Sequence, residues 1–242
     1  MTQKNHNSES QVSQTDNLEA TLEGRYQFDL QRTLARANHL VKTHFSAMVQ
    51  ACVVVFLVLV VIALIMQSLP AEQQGFIQIG AILVLAPLQT GLYMMGVRGA
   101  RNESVKVMDV FSYLPITIVV ALTQLIVAIL TQLGLVLLIV PGIYIMVAST
   151  FALTLVADRN LSAVNAILMS CRIVNRYFWH MLMFTGVFLV LMGIGIATFG
   201  FALLWVMPLY FFAIGVLYAD MVGTSGAQSS SAGEQHESTF DA

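Results

Sequence analysis

The sequence predicts an all-α, polytopic transmembrane helix bundle of six spans arranged as three hairpins, each preceded by an amphipathic interfacial helix. Three observations carry this reading. Of 242 residues, 57% are hydrophobic and 10% charged, with a mean hydropathy of +0.79, whereas soluble domains carry about 25% charge. The charges leave long apolar windows: 43–97 holds only Glu72, while 110–157 and 177–219 hold none. A helix rising ~1.5 Å per residue crosses a ~30 Å hydrocarbon core in about 20 residues. Each window therefore accommodates two crossings, and each carries a turn signal near its middle.

In the first window the apolar run is interrupted around Ser68, Pro70, Glu72 and Gly75, which places spans over 47–67 and 76–97. In the second, Pro141 and Gly142 suit the central positions of a type II turn and form the expected hairpin turn between 114–139 and 142–158. In the third, Gly193, Gly195, Thr198 and Gly200 divide 179–199 from 202–221. The stripe Gly193/Ala197/Gly200, like Gly215/Ala219, reads as a close-packing surface. A transmembrane β-barrel would need alternating apolar and polar residues, yet 52–62 is apolar throughout.

Ahead of the first span, Leu30, Leu34, Ala37, Val41 and Phe45 recur at helical spacing beside Arg32, Arg36 and Lys42. Residues 25–45 thus read as an amphipathic helix on the membrane surface. Residues 161–176 repeat the design, with Ser162 as N-cap, Val164, Ile167, Leu168, Cys171 and Val174 apolar, and Arg172 and Arg176 exposed. A shorter version occupies 104–114. The polar stretches 1–23 and 223–242 read as disordered tails, which leaves 24–222 as the transmembrane domain.

All eleven Lys and Arg fall on one side of this topology: Lys4 to Lys42 before the first span, Arg98, Arg101 and Lys106 after the second, and Arg159, Arg172 and Arg176 after the fourth. Short flanking loops rich in Lys and Arg stay cytoplasmic, so both termini are expected inside. Tyr113, Tyr177, Trp179 and Tyr218 then fall at inner span ends, and Phe76, Tyr144 and Trp205 at outer ends, as interfacial belts require.

The motifs of catalysis are missing. The five histidines make no zinc spacing with Cys or acidic residues, and there is no phosphate-binding glycine loop or nucleophile elbow. No metal or cofactor is expected, and Cys52 and Cys171 read as reduced thiols. A nucleic-acid partner would require a concentrated basic surface. No Asp, Glu, Lys or Arg lies at mid-span, which weighs against ion-coupled transport. Uncharged polar residues are present: Gln89 and Thr90 in the second span, and Gln124, Thr131 and Gln132 in the third. They read either as a polar seam lining a cavity or as interhelical hydrogen bonds, the latter favoured by the usual role of such groups.

The run Leu138-Ile139-Val140-Pro141-Gly142-Ile143-Tyr144-Ile145, followed by Phe151-Ala152-Leu153, Val156-Ala157-Asp158, Leu161-Ser162 and Ser170-Cys171-Arg172, resembles six-span bacterial inner-membrane proteins that share a V-P-G-I turn. It is similar to membrane domains attached to some glycerophosphodiester phosphodiesterases. The resemblance covers about residues 85–185 and implies a bacterial inner membrane; that family has no established activity, so it implies no site residues. The function expected is that of a non-enzymatic structural or regulatory membrane module, whose partners are the bilayer, anionic lipids or membrane proteins. The alternative is a channel or facilitator for a small neutral or amphiphilic solute.

Overall fold

The computed structural model describes residues 17–68 and 70–223, and these form helices with no strand among them. The helices are α1 (Asn17–Leu22), α2 (Leu30–Ser68), α3 (Ala71–Ala100), α4 (Thr117–Leu137), α5 (Ile139–Ala148), α6 (Ala152–Arg159), α7 (Ala163–Arg176), α8 (Phe178–Ala197) and α9 (Leu203–Val222). Two 3₁₀ turns, Val107–Phe111 and Leu114–Ile116, precede α4. Among the described residues, six segments are long and apolar enough to cross a membrane, with α5 and α6 together making the fourth. The fold is thus an all-α bundle.

The approaches to the first two hairpins differ from the expectation, and the approach to the third matches it. Residues 30–45 are helical but continuous with the first span: α2 runs through both and bends at His44, which leaves helical geometry (φ −115°, ψ 24°). Most of its apolar stripe is spent on the protein: Ala37 and Val41 are buried in the core beside Leu40, Leu30 and Leu34 pack against it, Phe45 is exposed, and the exposed side carries Arg32, Arg36, His39 and Lys42. The segment at 104–114 forms no α-helix; its helical part is the 3₁₀ turn Val107–Phe111, with a second beginning at Leu114. Pro115 removes a backbone donor and disfavours helical geometry at Leu114, while the Asp109 carboxylate accepts the Lys106 N–H at 2.9 Å. Only α7 is a separate helix in front of its hairpin. It is divided from α8 at Tyr177 by a bend (φ −122°, ψ 29°) close to that at His44.

Pro141 and Gly142 do not form the hairpin turn. The chain reverses at Leu138, which is extended (φ −159°, ψ 140°), and both residues lie in the first turn of α5. Proline is at ease there because the first four N–H groups of a helix have no partner within it. Gly142 is needed for closeness: a Cβ on Gly134 of α4 would lie 2.8 Å from the Gly142 Cα. The returning leg then breaks again at Ser149–Phe151, between α5 and α6. With ten residues, α5 reaches only ~15 Å. Tyr144 consequently sits at the charged end of the bundle instead of the outer belt, donating to Asn175 Oδ1 at 2.7 Å and packing on Phe178.

The core gathers around α9, whose residues from Phe211 to Leu217 are buried without interruption. Its neighbours are α3 and α2, and α3 approaches at Gly96 and Gly215, where an added Cβ on either glycine would strike the backbone of the other helix. Gly193 and Gly200 meet nothing, so the expected stripe in the third hairpin is not a packing surface within the described residues; Gly195, outside that stripe, faces Leu203. The far turns are apolar and open, with Val136 to Val140 exposed and Phe199 96% accessible.

Residues 1–16 and 224–242, most of the expected tails, lie outside the described residues. Residues 17–22 are no tail: α1 docks on the bundle, with Thr21 buried and its hydroxyl donating to the Met221 carbonyl at 2.8 Å.

Candidate functional site at the charged end of the bundle

Residues at and beside the ends of the apolar windows find one another. Arg101 follows α3, Asp158 closes α6, and Tyr218 and Asp220 lie in the last turns of α9. Arg101 Nη1 and Nη2 donate to Asp158 Oδ1 and Oδ2 at 2.8 and 3.0 Å, and the Tyr218 hydroxyl donates to Oδ2 at 2.9 Å. The Arg101 and Asp158 side chains are 12% and 5% exposed, so their charges are largely desolvated. Burial pushes Arg101 toward losing its proton, but the bond to Asp158 and its charge outweigh this and leave the guanidinium above its ordinary value.

The same arginines cap helices. Arg101 Nη2 donates to the Gly223 carbonyl at 2.8 Å and Arg159 Nη2 to the Val222 carbonyl at 2.8 Å, at the carbonyl end of α9. Arg36 of α2 donates to the Ala100 carbonyl at the end of α3 (2.7 Å) and pairs with Asp220 (2.8 Å). Cations at helix C-termini satisfy orphan carbonyls and oppose the helix dipole. Arg98 pairs with Asp109 at 3.1 Å, which fastens the 3₁₀ turn to α3.

An N-terminal strap closes this end. Tyr177 accepts the Tyr26 N–H at 3.0 Å and donates to the Thr21 carbonyl at 3.3 Å, while Arg176 donates to the Glu23 carbonyl at 3.1 Å. The Tyr26 and Tyr177 rings meet edge to face at 5.7 Å. Burial, reinforced by Asp220, pushes the Tyr26 hydroxyl up to about 12.

The break in the fourth span is sealed from α7. Ser170, fully buried, donates to the Ala148 carbonyl at 2.6 Å and accepts the Phe151 N–H at 3.1 Å. These are the groups that an interrupted helix leaves open in a medium without water.

The five residues of the expected polar seam are not gathered into one lining. Gln89 lies beside Tyr93, which packs on Tyr210 and Phe211. The Thr90 hydroxyl turns back to Ala86 of its own helix at 2.8 Å. On α4, Gln124 is half-buried, Gln132 is exposed, and the buried Thr131 hydroxyl has no partner among the described residues. A groove of about 400 Å³ between α2 and α3 is lined by Ile62, Ile65, Ile77, Gly80, Ala81 and Val84, and by none of the five. No cluster of three or more His, Cys, Asp or Glu occurs among the described residues.

One surface at this end is two-sided. On α7, Ala163, Ala166, Ile167, Ser170, Ile173 and Val174 are buried. On the other side Val164 and Leu168 are 56% and 52% exposed, and Arg172 and Arg176 are exposed with them. The sequence pattern puts Val164 and Leu168 on the same apolar stripe as Ile167 and Val174; the structure splits that stripe between the core and the surroundings.

These features define a multi-pass helical membrane protein with a charged, tightly bonded end. No family model, curated protein or solved structure matches the chain.

Proposed function

We propose that the protein is a non-enzymatic structural or regulatory module of a bacterial inner membrane, with both termini cytoplasmic, acting on lipids or partner proteins through its interfacial surface. The outward face of α7 carries this reading. It presents two large apolar side chains next to two arginines, while its inward face is anchored in the bundle. Side chains of this mixture, held on a rigid helix at the polar end of a membrane bundle, suit the headgroup boundary or a partner docked there. The positive residues favour the cytoplasmic side.

A photo-crosslinking residue at position 168, compared in native membranes with one at position 39 on the polar face of α2, tests the proposal. Adducts with lipid or with a defined membrane protein are expected from position 168 and not from position 39. Equal labelling at both positions, or labelling at neither, overturns the proposal.

A further inference from the structure

We infer that the outward face of α7 and the start of α8 bind the phosphate groups of anionic phospholipids, with Arg172 at the centre of the contact. This rests on the reading just given and commits it to one partner.

Val164, Leu168 and Arg172 follow one another at the four-residue spacing that puts side chains on one helix face. Beyond the bend at Tyr177, Trp179 is 73% exposed. The guanidinium is therefore bordered by aliphatic side chains before it in the sequence and followed by an indole, the side chain most at home at the headgroup level. A planar guanidinium matches a phosphate with two parallel hydrogen bonds, and its neighbours can dip into the upper acyl region.

Charge supports the choice of an anionic partner. The sequence of α7 contains Arg172 and Arg176 and no acidic residue. Among the described residues neither arginine takes part in an ion pair, and Arg176 donates to the backbone carbonyl of Glu23. The buried face of α7, held by Ser170 and by Ile173 and Val174, prevents the helix from rolling to hide Val164 and Leu168. The cations of α2 offer a contrast: Arg32 and Lys42 share their face with His39 and Thr43 and with no strongly exposed aliphatic side chain. They are equal in charge to the α7 pair but lack the apolar border that would hold a lipid.

The test uses the full-length protein in phosphatidylcholine vesicles that contain spin-labelled phosphatidylglycerol or spin-labelled phosphatidylcholine, with the preference for the first read from the motionally restricted signal. The wild type should prefer phosphatidylglycerol several-fold. Arg172→Gln should reduce that preference by up to about fivefold, the equivalent of about 1 kcal/mol for one interfacial cation. Arg32→Gln should leave it unchanged. Helical content measured on the same samples shows that both variants are folded. No preference in the wild type, no change in Arg172→Gln, or an equal loss in Arg32→Gln would each overturn the inference. If a protein still crosslinks at position 168 in that event, the module reading stands and the lipid assignment alone falls.

Discussion

The Ser170 hydroxyl accepts the Phe151 N–H at 3.1 Å, and through the same oxygen it donates to the Ala148 carbonyl at 2.6 Å. One side chain from α7 thereby closes both backbone groups exposed where α5 ends and α6 begins. Ser170→Ala should leave a buried N–H and a buried carbonyl unpaired. Interhelical hydrogen bonds in membranes are worth up to about 1–2 kcal/mol, so a loss of about that size is expected. Reversible unfolding in mixed micelles measures it; a variant as stable as the wild type would show that the break satisfies itself.

Arg101 and Asp158 should behave as a coupled pair. Removing one partner of a buried ion pair costs about 3–5 kcal/mol because the other charge is left uncompensated. Arg101→Met and Asp158→Leu should each be strongly destabilising, and the double variant should be less so than the sum of the two. A double-mutant cycle on thermal or denaturant unfolding reads the coupling. Simple additivity would mean that Arg101 acts through its bond to the Gly223 carbonyl alone.

Glycines in this bundle divide by what surrounds them. A Cβ at Gly96 meets the Phe211 carbonyl, and one at Gly215 meets the Gly96 backbone, whereas one at Gly80 meets nothing within 4 Å. Gly96→Ala and Gly215→Ala should separate α3 from α9 and destabilise the protein by about 1–3 kcal/mol, the usual cost of overpacking. Gly80→Ala should be neutral or stabilising by up to about 1 kcal/mol through helix propensity. Equal effects at all three sites would refute the α3–α9 contact.

Tyr26 supplies an alkaline limit. Its hydroxyl is raised from 10.0 to about 12 by burial and by Asp220. A raised folded-state value means that the native state holds the proton more tightly than the unfolded chain. The associated stability is full below the unfolded value, falls as pH rises toward the folded value, and is gone above it. Thermal midpoints recorded across that interval should drop more for the wild type than for Tyr26→Phe, which keeps the ring against Tyr177. Parallel curves would detach the strap from this titration.

Much of the architecture is legible from residue order because it rests on a local quantity. The transfer of apolar side chains out of water depends on each segment's own composition, and so 76–97, 179–199 and 202–221 match helices α3, α8 and α9 within a few residues at each end, and 47–67 falls inside α2 and ends beside its last residue. The expected turn at Pro141 and Gly142 failed for a related reason. Proline and glycine mark a helix start as readily as a turn, and only the approach of Gly134 to Gly142 shows which use is made. Ser170 gave no signal, since a serine in an amphipathic helix looks like any other until the broken strand of backbone that it serves is in place. The charges ending the apolar windows were a signal: Arg98, Asp158 and Asp220 mark those limits, and all three form ion pairs.

By itself, the sequence determined that the chain is a bundle of membrane-length helices with its cations between alternate spans, because hydropathy and charge act segment by segment. The tertiary structure alone decided which apolar faces were left over. Most of the stripe of α2 was consumed by α9, that of α7 was divided between core and surroundings, and the arginines read as flanking charges were turned into helix caps and partners of Asp158 and Asp220. Those outcomes depend on contacts between residues up to some 200 positions apart, such as Thr21 and Met221, and such contacts exist only once the helices have packed.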